Sequence, residues 1–284
     1  MQLKQNTPEW LEFRKSHIGA SDAPVIMGVS PYKTPMQLYE DKLGLSAKQV
    51  MTVAMQRGHD LEPEALKAFE CETGILMMPR IVVSKKIPYM MASVDGMSLD
   101  DSAIVEIKCP GAADHITAMD GRVPDHYYPQ LQHQMFVCDL DEAYYFSYRP
   151  DSHKLIEVSR DNDYIEKMIA AEEEFYKCIQ HKTPPKITDK DYVPMSGDEW
   201  ENLCDEYRSL QNLEERKEKV KARLLELAGH RNAKGFGVKI SKYLQKGRVD
   251  YNAIPGLKDL DLEIFRKPDI ECFKVTVDDK ILAF

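Results

Sequence analysis

The stretch Ala103-Ile104-Val105-Glu106-Ile107-Lys108-Cys109-Pro110 predicts a β-strand, because β-branched residues dominate it. Pro110 ends the strand, since proline has no N–H group to give to a neighbouring strand. Side chains alternate across a strand, so Glu106 and Lys108 share one face while Val105 and Ile107 point into a core on the other. The sequence therefore predicts a carboxylate and an ammonium group side by side on a rigid support.

A second strand is predicted just before it, in Tyr89-Met90-Met91-Ala92-Ser93-Val94-Asp95-Gly96, with a turn at Asp100-Asp101. This hairpin would bring Asp95 towards Glu106. An aspartate followed by Glu-x-Lys on the adjacent strand suits metal-assisted hydrolysis of a phosphodiester. Carboxylate oxygens bind Mg²⁺, and a neighbouring ammonium group can orient the attacking water or help to deprotonate it. The alternative for Glu-x-Lys is the solvated face of an edge strand, where alternating charges are common.

The composition is that of a globular protein, because 43% of the 284 residues are hydrophobic and 30% are charged. This length allows one large domain or a domain with an appendage. No stretch is apolar enough for a signal peptide or a membrane span, so we expect a cytoplasmic protein with no membrane partner. The cysteines are scattered without a Cys-x-x-Cys pair, which argues against zinc, iron–sulfur clusters and disulfides and favours buried, reduced thiols.

The net charge of −9 argues against tight, indiscriminate phosphate binding over the whole surface, although it does not exclude nucleic acid. Basic and acidic residues balance within residues 186–284, so the entire acidic excess lies in residues 1–185. An acidic metal site would contribute to this excess.

The N-terminal region predicts two helix starts. Thr7 is the expected N-cap of a first helix that ends at Arg14, and Ser21 is the expected N-cap of a second helix that Gly28 closes. The N-terminus of a helix attracts anions, so a phosphate could bind between Arg14 and Ser21. The alternative is that Ser21 only caps its helix and Arg14 only makes a surface ion pair.

A long helical pattern begins at Ala47, and after Arg57-Gly58-His59-Asp60-Leu61-Glu62 it resumes at Pro63. Pro63 predicts a kink or a fresh helix start at that point. Glu62 would then lie near the apolar side, where a carboxylate needs a cation or a donor. It could equally be a carboxylate that complements the dipole of a new helix.

The remaining elements of residues 1–185 alternate between helical and strand patterns. Helices are predicted for residues 112–119, 127–137 and 161–179, and strands for residues 143–148 and 154–158. In the second of these helices, Gln132 and Phe136 are four residues apart on one face. The fold class expected is mixed α/β, with a central sheet flanked by helices.

The character of the sequence changes after Pro185, so we predict a core in residues 1–185 and an extension in residues 186–284. Ser196 is expected to cap a helix that reaches about Ala228 and carries an apolar stripe, either as a coiled-coil arm or packed on its own domain. A basic run from Arg231 to Arg248 with interleaved aromatic residues predicts a strand-like patch for the DNA backbone. The same run could be one solvated face of a hairpin.

The motifs together resemble the lambda exonuclease and YqaJ viral-recombinase family of the PD-(D/E)XK nuclease superfamily. The segment RKSHIGAS, with Arg14 and Ser21, is similar to the family's 5′-phosphate-binding segment. The segments RGHDLE, SVDG and EIKCP supply Glu62, Asp95 and the pair Glu106 and Lys108, and QLQHQMFV supplies the motif glutamine as Gln132. The similarity covers about residues 8–180. Pro63, directly after the motif glutamate, departs from the expected uninterrupted helix.

The resemblance implies an enzyme that digests linear double-stranded DNA from its 5′ ends. Such an enzyme releases mononucleotides and leaves 3′ single-stranded tails for a single-strand annealing protein. The resemblance also implies a ring-shaped homotrimer and a phage or prophage gene expressed in a bacterial host. Two Mg²⁺ ions, or Mn²⁺ in their place, would be held by the side chains of Glu62, Asp95 and Glu106 and the Ile107 carbonyl. Lys108 would activate water, and Gln132 would orient the water or Lys108.

Two other functions remain open on the sequence. An endonuclease of restriction or repair type shares the core motifs and would cut covalently closed circular DNA, which has no end for an exonuclease. A DNA-binding protein that keeps the fold without catalysis would leave linear duplex intact whether Mg²⁺ is present or chelated.

Overall fold

The computed structural model describes residues 7–46, 52–235 and 237–242, together with Leu257. The chain divides into two compact units, Met1–Val193 and Pro194–Phe284, so the division falls a few residues beyond the boundary predicted at 185. Within the described residues, no helix combines the length and the apolar character needed to cross a bilayer.

The first unit is built on a six-stranded mixed sheet. Its strands are β1 (Ile18–Gly19), β2 (Met77–Val83), β3 (Met90–Ser98), β4 (Ile104–Lys108), β5 (Glu142–Arg149) and β6 (Ser152–Ser159). Strand β3 pairs antiparallel with β2 and β4 and parallel with β1. Strand β5 then runs parallel to β4 and antiparallel to β6. The predicted fold class, a mixed central sheet with flanking helices, is confirmed.

Helices surround this sheet. They are α1 (Pro8–Lys15), α2 (Ala23–Ile26), α3 (Pro35–Leu43), α4 (Val53–Thr73), α5 (Ala112–Met119), α6 (Tyr128–Cys138) and α7 (Asn162–His181). Thr7 caps α1 as predicted, and Asp161 caps α7 through a bond from the Tyr164 N–H. The predicted helices at residues 112–119 and 127–137 are α5 and α6, and the predicted strands at residues 143–148 and 154–158 are β5 and β6.

Strand β4 is an interior strand, which excludes the alternative of a solvated edge. It lies between β3 and β5, and Ile104, Val105, Glu106 and Ile107 are all buried. Val105 and Ile107 pack with Phe69 and Phe146 in one apolar cluster. Strands buried on both faces read as near-continuous apolar runs, so Glu106 is an exception that needs a chemical explanation.

Gly96 lies on β3, which pairs with β2 on one side and with β4 on the other. A Cβ atom at this position would lie 2.7 Å from Met77 Cβ and 2.8 Å from Val105 Cγ1. Both distances are far inside van der Waals contact, so only glycine allows the three strands to pack at this spacing. Asp95, the preceding residue, is therefore held in a fixed register against β4.

Three local predictions need correction. Helix α4 continues through Pro63, because the packing of Ala65 and Phe69, both without exposed surface, offsets the hydrogen bond that proline cannot donate. Ser21 does not cap a helix, since it lies in a 3₁₀ turn, Ala20–Asp22, whose N-cap is Gly19. The cysteines of the described residues are free but not fully buried, and Cys71 is exposed.

The second unit contains one long helix and a small hairpin. Helix α8 (Asp198–Leu227) starts after Gly197 and not after Ser196, and none of its residues is buried. The hairpin is formed by β7 (Ala233–Gly235) and β8 (Val238–Ile240), with Lys234 directly opposite Lys239. The predicted basic run therefore contains a hairpin in its first half, while Phe236 and residues 243–248 lie outside the described residues.

Candidate active site

Asp95 and Glu106 meet on neighbouring strands. Asp95 Oδ2 accepts a hydrogen bond of 2.8 Å from the Ile107 N–H, which joins β3 to β4. Burial and the Glu106 carboxylate raise the pKa of Asp95 well above its usual value, and the Glu62 carboxylate adds to this effect. Lys108 and the Ile107 N–H oppose the rise. The hairpin thus concentrates carboxylates at one place, as the sequence predicted.

Glu106 is only 2% exposed, and three donors bind its carboxylate. Its Oε1 accepts from Lys108 Nζ at 2.5 Å and from Gln130 Nε2 at 2.5 Å. Its Oε2 accepts from Gln134 Nε2. A buried carboxylate without such partners would carry a large desolvation cost, so these three side chains stabilise Glu106 in its position.

Lys108 is a cation in this arrangement. Burial alone would lower its pKa, but the Glu106 and Asp95 carboxylates outweigh burial and raise the pKa above its usual value. The ammonium nitrogen also lies 5.3 Å from the centroid of the Tyr127 ring, within the range of a cation–π contact. Lys108 is therefore suited to donate hydrogen bonds and to stabilise negative charge, and less suited to accept a proton.

The glutamines that reach Glu106 are not the one that the motif predicted. Gln132 Nε2 donates to the Ser159 carbonyl at 3.0 Å, and Gln132 Oε1 accepts from the Asp161 N–H at 2.8 Å. Residues four apart share a helix face, whereas a residue two positions on points to the opposite side. Gln130 and Gln134 consequently face Glu106, and Gln132 ties α6 to the end of β6.

A buried ion pair on another face of α6 helps to fix the rotation of this helix about its axis. His133 Nδ1 lies 2.8 Å from Glu172 Oε1 on α7, and His133 Nε2 lies 3.0 Å from the Met91 carbonyl on β3. Both side chains have no exposed surface. Because His133 precedes Gln134 directly, this contact helps to fix which glutamines point at Glu106.

Glu62 lies at the margin of this cluster. Its side chain is half-exposed on α4, with Oε2 at 3.9 Å from His59 Nδ1. The carboxylate is near enough to contribute, after burial, to raising the pKa of the Cys109 thiol to about 11. Helix α4 continues through Pro63, and Glu62 lies on this helix at the edge of the carboxylate cluster.

The donor chemistry suits a hard divalent cation, although the arrangement is not a ready-made metal centre. Three carboxylates interact closely enough to raise the pKa of Asp95, and their oxygen atoms are the ligands that Mg²⁺ prefers. Within the described ranges, however, no three His, Cys, Asp or Glu side chains stand in a metal-binding arrangement. Glu106 is directed at Lys108, Gln130 and Gln134 instead.

Arg14 and Ser21 lie together, as predicted for a phosphate site. Arg14 Nη2 donates to Ser21 Oγ at 2.8 Å and to Asp22 Oδ1 at 3.4 Å, and the guanidinium carbon lies 4.9 Å from the Trp10 ring centroid. Trp10 Nε1 in turn donates to Ser93 Oγ at 3.0 Å, two residues before Asp95. This chain of contacts connects the Arg14 site to strand β3.

Lys42 is a buried residue of this site that the sequence analysis missed. Its Nζ donates to Asp22 Oδ2 at 2.5 Å and to the carbonyls of Arg14 and His17 at 2.8 and 2.7 Å. Burial would raise the pKa of Asp22, but Lys42 and Arg14 outweigh it and lower the pKa. Two cations share one carboxylate, so this cluster keeps a net positive charge. The only sequence signal for it was a lysine within an otherwise amphipathic helix.

The first unit combines a mixed sheet with an aspartate on one strand and Glu-x-Lys on the next, which is the pattern that the motifs associate with nucleases. Residues 9–141 match the model of the YqaJ-like viral recombinase domain. The resemblance inferred from the motifs is therefore confirmed.

Two relatives match part of this chain. The uncharacterised protein YqaJ of Bacillus subtilis is 31% identical over 174 residues, which cover 59% of this chain and 54% of YqaJ. The uncharacterised protein R354 of Acanthamoeba polyphaga mimivirus is 26% identical over 171 residues, which cover 54% of this chain and 30% of R354. The match thus spans about half of the first relative and less than a third of the second.

Among solved structures, the chain is similar to an alkaline exonuclease, LHK-Exo, from Laribacter hongkongensis. The TM-score is 0.54 at 27% identity, over 62% of this chain and 94% of the exonuclease. A second structure of LHK-Exo, in complex with dAMP, has the same TM-score and coverage at 25% identity. These similarities support a nuclease.

Proposed function

We propose that the chain is a Mg²⁺-dependent exonuclease that digests linear double-stranded DNA in the 5′→3′ direction. The observation that carries this proposal is the contact of Lys108 Nζ with Glu106 Oε1 beside Asp95 on the adjacent strand. A mononucleotide bound to the related alkaline exonuclease supports release of 5′-mononucleotides. The remaining 3′ tails would serve recombination with a single-strand annealing protein, and a homotrimeric ring would hold the enzyme on its substrate.

Each site residue has a role in this proposal. Asp95, Glu106 and the Ile107 carbonyl would hold Mg²⁺, with Glu62 completing a second position that Mn²⁺ could also occupy. When bound, such ions supply charge stabilisation for the attacking and leaving oxygens. Lys108 orients the water and stabilises developing negative charge, consistent with its raised pKa. Gln130 and Gln134 hold Glu106 in place.

Arg14 and Ser21 are proposed to bind the 5′-terminal phosphate. The guanidinium group and the net positive charge of the Arg14, Lys42 and Asp22 cluster favour a phosphate over a hydroxyl group. Ser21 lies in a short 3₁₀ turn and not at the N-terminus of an α-helix, so the side chains would bind the phosphate. Asp22 Oδ1, at 3.4 Å from Arg14 Nη2, would help to position the guanidinium group.

The test uses three substrates of identical sequence: linear duplex with 5′-phosphate ends, linear duplex with 5′-hydroxyl ends, and a covalently closed circle. We expect Mg²⁺-dependent release of mononucleotides from linear duplexes, faster from phosphorylated ends, and an intact circle. Arg14→Ala should slow digestion of phosphorylated ends by about tenfold, the effect of one charge-assisted contact, and leave hydroxyl ends nearly unchanged.

Each alternative has its own outcome in this assay. Cutting of the closed circle would establish an endonuclease and overturn the exonuclease proposal. Linear duplex that stays intact with Mg²⁺ or Mn²⁺ would favour a DNA-binding protein without catalysis. Equal slowing of both kinds of end by Arg14→Ala would make Arg14 a structural residue.

A further inference from the structure

A row of aromatic side chains leads outward from Lys108. The Lys108 ammonium contacts the Tyr127 ring, and the Tyr127 ring lies 4.0 Å, between centroids, from His126. The His126 ring then meets the edge of the Tyr32 ring at 5.9 Å and an interplanar angle of 82°. The row therefore joins the proposed catalytic lysine to Tyr32.

The outer end of this row is exposed. Tyr127 is half-buried, the His126 side chain is 16% exposed, and Tyr32 is 75% exposed. The Asp114 carboxylate lies beside the two inner rings, with Oδ2 at 3.5 Å from the Tyr127 hydroxyl group and from His126 Nε2. Tyr32 packs against His126 and is otherwise exposed, so its ring can offer a face to a ligand in the site.

The loop that carries Tyr32 is fixed at both ends. Ser30 Oγ accepts from the N–H groups of Tyr32 and Lys33 at 3.2 and 3.3 Å, and the Ser30 N–H donates to the Pro24 carbonyl. On the other side, Thr34 caps α3 with a reciprocal bond to Gln37, and Lys33 pairs with Asp41. The exposed ring therefore stands on an ordered backbone, so little conformational entropy would be lost when it binds a ligand.

We infer that Tyr32 is a stacking platform for a nucleobase of the DNA strand that enters the proposed nuclease site. The inference rests on the proposed function, because the phosphate to be cleaved must lie beside Lys108 and Glu106. The aromatic row that leads from Lys108 to Tyr32 offers a ring on which a base near that phosphate can stack. Every base has a π face, so such a contact tolerates any sequence, as an exonuclease requires.

The experiment measures steady-state digestion of linear duplex by the wild type, Tyr32→Ala and Tyr32→Phe in full-length protein. Stacking predicts that Tyr32→Ala raises KM by about tenfold and that Tyr32→Phe stays within about twofold of wild type. Leu99→Ala removes a similarly exposed apolar side chain from the β3–β4 turn and should leave KM unchanged. The decisive substrates carry one abasic nucleotide on either side of the first scissile bond.

If a base stacks on Tyr32, the difference in KM between wild type and Tyr32→Ala disappears on one of the abasic substrates. A difference of equal size on every substrate would make Tyr32 a structural residue and overturn the inference. Equal defects in Tyr32→Ala and Tyr32→Phe would assign the effect to the Tyr32 hydroxyl group and would also overturn the inference. A wild-type KM in Tyr32→Ala would do the same.

A binding measurement separates this inference from the proposed function. Duplexes with 2-aminopurine next to the first scissile bond are titrated with protein in Ca²⁺, and fluorescence quenching reports stacking. Quenching by wild type that Tyr32→Ala lacks would support the platform even if Mg²⁺ produced no digestion, in which case only the proposed activity would fail. Equal quenching by both proteins would overturn the platform while leaving the nuclease proposal intact.

Discussion

Alanine substitutions of Lys108 and Glu106 remove groups with different proposed roles. Glu106→Ala removes a carboxylate proposed to hold Mg²⁺, whereas Lys108→Ala removes a donor aimed at that carboxylate. We expect both variants to lose hydrolysis, with Lys108→Ala slowed by roughly 10²–10³-fold, the usual effect of one electrostatic donor. Calorimetric titration should show Mg²⁺ binding retained by Lys108→Ala and weakened by Glu106→Ala. Wild-type Mg²⁺ affinity in both variants would contradict the roles assigned here.

The three glutamines of α6 provide an internal comparison. Gln130→Ala and Gln134→Ala each remove a donor from buried Glu106, so we expect kcat to fall by roughly tenfold, as for loss of a hydrogen bond to a charged group. Gln132→Ala breaks contacts with Ser159 and Asp161 instead, so it should lower the urea midpoint and leave kcat of the folded protein unchanged. A larger loss of kcat in Gln132→Ala than in Gln130→Ala and Gln134→Ala would support Gln132 as the glutamine that orients the water or Lys108.

Part of the site could be predicted from sequence because it depends on local geometry. Asp95, Glu106 and Lys108 follow from strand alternation and one hairpin, and all three lie where they were expected. The choice among the glutamines depends on the rotation of α6, which contacts distant in sequence determine. Lys42 was missed for a similar reason, because its partners lie 20 to 28 residues away.

The packing of α6 on α7 contains a charged pair without exposed surface. Burial would lower the pKa of His133, but Glu172 and the Met91 carbonyl outweigh burial and raise it. The native state therefore holds this proton more tightly than the unfolded state does. The resulting stability is fully present below the unfolded-state pKa and declines as the pH rises through the native-state pKa.

Comparison of wild type with His133→Gln isolates this contribution. We expect the difference in free energy of unfolding between the two proteins to be largest near pH 5.5 and to shrink towards about pH 8.5, since an unfolded histidine titrates near 6.5. Urea unfolding across this range provides the measurement. A difference that stays constant with pH would show that His133 contributes packing alone.

The element boundaries show where sequence patterns are sufficient. Caps and turn residues placed α1 and α7 to within a few residues, because capping groups act within one helical turn. The expected break at Pro63 was wrong, since burial of Ala65 and Phe69 outweighs a local preference. Helix α3 was missed although Thr34, Gln37 and Gly44 are ordinary start and stop signals.

The whole molecule combines an acidic first unit with a second unit that exposes a lysine pair. Lys234 and Lys239 face each other across β7 and β8, and like charges in directly opposed positions repel. A phosphate backbone would relieve this repulsion, so we predict that the hairpin contacts DNA. Each lost phosphate contact lowers the slope of log affinity against log salt by about 0.9.

Replacement of both lysines tests this prediction. The double variant Lys234→Gln and Lys239→Gln should lower the salt slope of duplex binding by about 1.8. The double variant Lys217→Gln and Lys219→Gln removes the same charge from exposed positions on α8 and should leave the slope unchanged. Equal slopes in both double variants and wild type would leave the hairpin as a partner-binding or plain surface.

Gly96 has a consequence for how this sequence can vary. Every amino acid other than glycine carries a Cβ atom, and at this position the atom would collide with both Met77 and Val105. The volume of the added atom, and not its chemistry, therefore excludes other residues. Even Gly96→Ala, which adds a single methyl group, should prevent correct folding. In a saturation library selected for folded protein, position 96 should return glycine alone, while Gly58, which has open space at its Cβ position, should accept many residues.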